Sequence, residues 1–461
     1  GAKTPMDLDR LGPAEAEVKL DGDRSGYALE GKLAASGGSL HLAGKLAATD
    51  AGPSYDVTVD AEEPELATLF EALLPDYRPA SQKLGGFQFH AKVGGDREKL
   101  ALSELQAKLG AVSVSGTLAA TLAGARPKLK ALIEASAIEL DPFLPAGDGE
   151  RGQNRRPRGQ GVSGQSTRWS TAALDLAALK EVDAEIGLST PELTYGQYRI
   201  EDAKLAATLD NAVLTLGELG GKLYDGELKL TGTLDAQAEP KARLSLRLDG
   251  AKLGQAGLKL GAVKLEGGTL TTSADLATSG ESELALVRGL NGKGALKMEG
   301  GVIQGLSFNA INARLAKAGG GADLIALVQA ATSGGETKIT RLEGTFGVKD
   351  GVAENKDLML EADGASAKGE GSIDLPRWYM EYETAFKLAA AEDAPPFLIK
   401  LKGAPDAPRK FLDANAFQEW LMKRQAAAAP KPARKSAPSA PAASPSNSII
   451  QDLLKEPAKA P

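Results

Sequence analysis

Cysteine is absent from this 461-residue chain, which excludes disulfides, thiolate nucleophiles, thiolate-bound zinc and iron–sulfur clusters. Histidine is almost absent. The two present, His41 and His90, fall in alternating strand patterns without an H-x-x-x-H partner, so they are expected to face solvent, and no metal or other cofactor is expected. No apolar run reaches the ~18 residues of a membrane-spanning helix or resembles a signal-peptide core. Positive charge is not in excess either: the formal net charge is −7, which argues against nucleic acid as a partner. The chain starts at Gly1 rather than Met, and a targeting or anchoring segment is expected upstream. Aromatic residues are only 5% of the composition, a poor supply for the core of a compact α/β enzyme.

Glycine is plentiful, at 54 residues against an average of roughly 7%. Five glycines recur at one place in a strand-like unit: EGKLAA, AGKLAA, SGTLAA, TGTLDA and EGTFGV, at Gly31, Gly44, Gly116, Gly232 and Gly344. Around these units apolar residues alternate with polar ones. Examples are Ala16, Val18 and Leu20; Leu40, Leu42 and Leu46; Tyr55, Val57 and Val59; Val182, Ala184, Ile186 and Leu188; and Ala242, Leu244, Leu246 and Leu248. A period of two places one set of side chains on one side of a pleated sheet. About two dozen short strands are predicted, each with a dry and a wet face.

Helical spacing is rarer. It predicts helices over 64–74 (Leu66, Leu69, Phe70, Leu73), 307–315 (Phe308, Ile311, Leu315), 323–331 (Leu324, Leu327, Val328) and 414–425 (Phe417, Trp420, Leu421). The organisation read from these patterns is a β-repeat region over 1–145, an Arg/Gly-rich flexible linker over 146–168, and a second β region over 169–413 with helices near 307–331. A short helix over 414–425 and a disordered Ala/Pro-rich tail over 426–461 follow, the tail holding an amphipathic patch at 448–455. The linker's Arg151, Arg155, Arg156 and Arg158 read as a solvated run.

Catalytic patterns are missing. Gly292-Lys293-Gly294 and the glycines at 319–321 lack the Lys-Ser/Thr of a phosphate loop, and Gly161-Val162-Ser163-Gly164 is one residue short of a nucleophile elbow. The chain does not read as an enzyme.

From Trp169 onward the sequence resembles the AsmA family of bacterial envelope proteins. The matching stretches run in order: RWSTAALDLAALKEVDAEIGLSTPEL, LAATLDNAVLTLGELGGKLYDGELKLTG, GLNGKGALKMEGGVIQGLSFNAINARL, TKITRLEGTFGVKDGVAENKDLMLEADGASAKGEGSIDL and PPFLIKLKGAPDAP. Residues 1–145 resemble an upstream part of the same family, ending in IELDPFLP.

The resemblance, which extends to TamB-like bridge proteins, implies a mainly β fold: an elongated, twisted antiparallel sheet curled into an open hydrophobic groove, with a few short helices. It further implies a periplasmic location with an inner-membrane anchor, a role in outer-membrane biogenesis, and phospholipid acyl chains and envelope proteins as partners. On that reading Val18, Leu29, Leu42, Val57, Leu228, Leu230, Leu244, Leu246 and Leu296 line the groove, while Trp420, Ile449, Ile450, Leu453 and Leu454 dock a partner. Two alternatives stay open. The apolar faces could close into a β-sandwich or solenoid core, or the protein could be a scaffold for outer-membrane protein assembly, using helices around Phe308, Leu327 and Trp420.

Overall fold

The alternating segments fold as strands throughout. A computed structural model describes residues 14–23, 26–35, 37–49, 52–73, 77, 79–81, 83–144, 168–254, 258–260, 263–305, 307–317 and 335–428. These contain 25 strands and five α-helices, so the chain is mainly β. Within each of its two units the sheet is open and twisted. No helix among the described residues is long and apolar enough to cross a membrane.

The chain divides into two compact units, the first holding residues up to 166, 174–223 and 227–244. Its strands are β1 (Ala14–Asp23), β2 (Gly26–Ala35), β3 (Gly38–Thr49), β4 (Gly52–Glu63), β5 (Phe87–Gly95), β6 (Lys99–Leu109), β7 (Val112–Thr121) and β8 (Lys128–Ala135). The short β9 (Ile138–Glu139), β10 (Asp183–Tyr195), β11 (Tyr198–Asp210), β12 (Val213–Leu223) and β13 (Gly226–Asp235) complete it. From β1 to β8 each strand pairs antiparallel with the next. β10 then lies parallel to β8 and β9, after which β10, β11 and β12 resume the antiparallel order. Asn211 and Ala212, at φ +49° and +61°, make the two-residue turn between β11 and β12, a geometry whose twist suits a hairpin.

Two helices belong to this unit, α1 (Leu66–Leu73) and α2 (Ala178–Glu181). Leu66 is fully buried, and its N–H donates to the Gly85 carbonyl at 2.8 Å, which ties α1 to the ends of the strands around it. The linker predicted over 146–168 lies, apart from Arg168, outside the described residues. The strands before and after it are neighbours in one sheet, so the loss of pattern marks a connection and does not separate two sheets.

The second unit holds 167–173, 224–226 and the residues from 245 onward. Its strands are β14 (Lys241–Lys252, from Ser245), β15 (Leu258–Leu260), β16 (Val263–Glu266), β17 (Thr269–Ser279), β18 (Asn291–Glu299) and β19 (Val302–Gln304). Then come β20 (Glu336–Lys349), β21 (Val352–Ala362), β22 (Ala365–Asp374), β23 (Tyr379–Leu388), β24 (Phe397–Gly403) and β25 (Arg409–Asp413). β17, β18 and β20 to β25 form one antiparallel run. β20 is long enough to pair also with β19, which continues through β16 to β15.

Its helices are α3 (Glu283–Arg288), α4 (Phe308–Lys317) and α5 (Asn415–Ala428). Ser282 caps α3, its hydroxyl accepting from the Ala285 N–H at 3.2 Å. Residues 426–428, expected to start the tail, are helical, as an alanine run favours, and the residues from 429, with the amphipathic patch, lie outside the described residues. So does the predicted helix over 323–331.

A hydrophobic core sits where α4 and α5 meet the sheet. Phe308, Ile311, Leu315, Phe417 and Leu421 pack on Ala365, Ala367, Phe386 and Leu388. Ring contacts link sheet to helix in sequence, with centroids 5.4 Å apart for Phe308–Phe386 and for Phe386–Phe397, 6.1 Å for Phe397–Phe417 and 5.5 Å for Phe417–Trp420. Elsewhere in this unit the motif at 168–170 is pinned to strand ends. Trp169 Nε1 donates to the Leu375 carbonyl at 2.8 Å, and the Arg168 guanidinium lies 3.9 Å from the centre of the Trp378 ring.

Candidate functional site, the apolar sheet face

Strand register decides whether the alternating residues share one surface. In the first unit they do. One row runs unbroken across eleven strands: Leu20, Leu29, Gly44, Val57, Val93, Leu102, Leu118, Ala131, Ile186, Ala207 and Leu216. A second row runs Val18, Gly31, Leu42, Val59 and Ala91, passes the β-bulge at Glu104, and continues through Leu105, Gly116, Ile133, Leu188 and Leu205. At ~4.8 Å per strand, these rows extend about 48 Å across the sheet. The opposite face carries Glu30, Lys32, Asp60, Lys92, Lys108, Lys130 and Glu185, with ion pairs such as Lys130–Glu185 at 2.9 Å.

The apolar face of this unit is not dry. Val18 is 65% exposed, Leu20 57%, Leu244 42% and Ile186 41%, whereas the interior of a closed sandwich would leave such residues almost no accessible area.

The expected groove residues fall as follows. Val18, Leu29, Leu42 and Val57 stand in the two rows just described. Val57 and Leu228 are buried, Leu230 is half-buried, and Leu244 lies beside Gly232 on the neighbouring strand. In the second unit Leu246 lies between Ser245 and Arg247, which both bond Asp275 on the polar face, so Leu246 points the other way. Leu296 stands opposite Thr272 and Gly344. Ile186, Leu20 and Leu188 were absent from the expected set. Their alternation was visible, but their place in a row depends on pairing partners that alternation does not specify.

Three of the recurrent glycines have a steric reason, Gly232 among them, where a Cβ would stand 2.7 Å from the Arg243 carbonyl oxygen. A Cβ on Gly44 would stand 2.2 Å from the Asp56 carbonyl oxygen, and one on Gly116 2.0 Å from that of Leu132. The neighbouring backbone comes too near for any side chain.

In the second unit the apolar face is partly covered. α4 and α5 lie over β22 and β23, where Phe308 and Phe417 are 1% and 3% exposed. Phe308 therefore offers no free surface. Trp420 packs against the same core, its Nε1 donating to Asp393 Oδ2 at 3.1 Å. Leu327, Ile449, Ile450, Leu453 and Leu454 lie outside the described residues. One polar pair interrupts this face: the Tyr382 hydroxyl donates to Asn355 Oδ1 at 2.6 Å. Burial pushes the Tyr382 phenol up to about 12, so it stays a neutral donor.

Both histidines lie on the polar face. His90 Nδ1 is 2.6 Å from Asp60 Oδ1, a partner supplied by the register of β4 and β5, and His41 Nε2 is 4.0 Å from Glu30 Oε1. Among the described residues no group of three or more His, Asp or Glu could hold a metal ion. Asp275 and Asp357 have carboxyls held below the usual range, the first by Arg247 and Ser245, the second by the hydroxyl and N–H of Thr345. These are surface hydrogen bonds that hold strands in place.

Residues 60–358 match the AsmA family, which is not a known enzyme family. The chain is 22% identical over 334 residues to the protein AsmA of Escherichia coli (strain K12), an alignment covering 70% of this chain and 53% of that protein. It thus spans about half the length of that relative. No solved structure matches it. A match over well more than half the chain makes this protein a member of the AsmA family.

Proposed function

We propose that the apolar sheet face carries phospholipid acyl chains between the inner and outer membranes, with the full-length protein anchored in the inner membrane and this region in the periplasm. The observation that supports it is the apolar row from Leu20 to Leu216, continuous over eleven strands and exposed at Leu20 and Ile186, with Val18 exposed in the row beside it. Each methylene moved from water onto such a face gains about 0.8 kcal/mol. A lipid with two long chains is then held without any specific polar contact, and binding spread evenly along a row permits movement along it.

The test is lipid extraction and native mass spectrometry of the purified chain. Phospholipid is expected in the wild type and is lost when Leu42, Leu230 or Leu246 is replaced by Glu, and those variants fail to restore envelope function in a strain lacking the gene. A wild-type chain free of phospholipid would instead favour a scaffold in outer-membrane protein assembly.

A further inference from the structure

We propose that the apolar face of the second unit holds a glycerophospholipid at its β25 edge, with Lys410 on the phosphate and the Thr384 hydroxyl on a glycerol ester. This rests on the reading of the apolar face as an acyl-chain carrier, and it places the polar part of the lipid. Register brings the residues together. One row runs from Lys410 on β25 through Leu401, Tyr382, Gly371 and Asn355 to Phe346 on β20. The row beside it runs Leu412, Ile399, Thr384, Gly369 and Leu358. Leu412 and Ile399 pack against the core on which α4 and α5 sit. Lys410, two residues from Leu412, therefore stands on the apolar face.

Both polar groups have capacity to spare. Among the described residues, neither the Lys410 ammonium nor the Thr384 hydroxyl has an ion-pair or hydrogen-bond partner. The cations on the other face of the neighbouring strand do: Lys400 lies 3.0 Å from Glu383 and Lys402 3.4 Å from Glu381. Lys410 and Thr384 are two strands and two residues apart, about 12 Å between Cα atoms at ordinary sheet spacings. The lysine stem, lying over Leu401, crosses about half of that, which leaves the separation of a phosphate from the glycerol esters beside it. Tyr382 shapes the floor between them. A Cβ on Gly371 would stand 2.6 Å from Tyr382 Cδ2, and one on Gly369 2.9 Å from its hydroxyl oxygen, so the ring lies flat across both glycines. Its hydroxyl is tied to Asn355, which holds the ring there. Away from the edge, Leu358, Phe346 and Leu296 stand half-buried on the same face, an apolar path for the chains. A cation, then a hydroxyl, then an apolar run is the order of chemistry that a phospholipid presents along its length.

Calorimetric titration of the delipidated whole chain with dihexanoylphosphatidylglycerol, kept below its micelle-forming concentration, tests it. Lys410→Gln should weaken binding about 5-fold and leave binding of dihexanoylglycerol, which has no phosphate, as in the wild type. Lys402→Gln, on the opposite face, should change neither. Thr384→Val should weaken binding of the diester about 5-fold but not that of the ether-linked counterpart, which has no carbonyl to accept from the hydroxyl. The proposal is overturned if Lys410→Gln binds phosphatidylglycerol like the wild type, or if Lys402→Gln weakens it as much. It is also overturned if Thr384→Val weakens ester and ether alike, since that outcome belongs to altered packing. A wild-type chain that binds neither lipid would remove the acyl-chain carrier and this site with it, whereas a wild type that binds phospholipid, with both variants matching it, would remove this site alone.

Discussion

Replacing Ile186 by Glu separates an open apolar face from a closed core. Ile186 stands between Ala131 and Ala207 in the long row and is 41% exposed. Full burial of an isoleucine stabilises by about 1.5–3 kcal/mol, so a side chain covered over rather more than half its surface contributes about 1–2 kcal/mol. On an open face a glutamate loses that amount, because its carboxylate still reaches water. In a closed core the same carboxylate would be buried without a partner, at a cost of several kcal/mol more. Thermal unfolding with hydrogen exchange on β10 and β11 measures the difference. An open face predicts a melting temperature lower by no more than about 8 °C, at about 2–4 °C per kcal/mol for a unit of this size, together with loss of co-purifying phospholipid. A loss above about 4 kcal/mol, with Ile186→Val near wild type, would refute the open face, since that range belongs to buried, unpaired charge. A folded variant with undiminished lipid would refute the lipid path.

Phe417→Ala should cost about 3–5 kcal/mol, the range for emptying a buried phenylalanine site, with faster exchange in α4 and red-shifted tryptophan fluorescence; unchanged exchange would mean that α5 does not hold the core. Gly116→Ala should cost about 1–3 kcal/mol by forcing a methyl against the Leu132 carbonyl, whereas Gly347→Ala, with no atom within 4 Å of the new methyl, should leave the melting temperature within a degree or two (about 0.5 kcal/mol). Tyr382 is raised from 10.0 to about 12. Its contribution is therefore complete below pH 10 and disappears as pH rises through 12, so the stability gap between wild type and Tyr382→Phe should narrow over that window, in step with phenolate absorbance. Asp357 behaves oppositely. Its lowered carboxyl contributes above the ordinary value of 3.8 and ceases to do so as pH falls below it, and the gap to Asp357→Asn in acid titration should close in that direction.

Most strands were legible because alternation is a local property, and segments such as Val112, Val114 and Leu118 needed no partner to declare it. The helices at 66–73 and 308–317 were legible for the same reason, through Leu66, Leu69 and Phe70 and through Phe308, Ile311 and Leu315. What alternation could not supply was pairing. Nothing near Ile186 in sequence indicates Ala131 as its neighbour, since 145–167 intervenes and only the parallel register of β8 and β10 joins them. The short α3 was missed, although Ser282 and Gly289 mark its two ends, because six residues are too few for a helical period to stand out. That Trp420 lies half-buried against Phe417 was not legible, because an exposed aromatic and one packed on a neighbouring ring look alike in one dimension.

The parallel contact between β8 and β10 also bears on how the chain assembles and diverges. Nearly every other pairing in the first unit joins strands that follow each other closely in sequence, so those hairpins can form one after another with little loop-closure entropy. Only at this seam must the chain bring together segments separated by a long connection. That step is expected to come late in folding, and its cost rises slowly with length, by about 0.6 kcal/mol per doubling. The connection can therefore lengthen or shorten between related proteins while the sheet on both sides of it keeps its register.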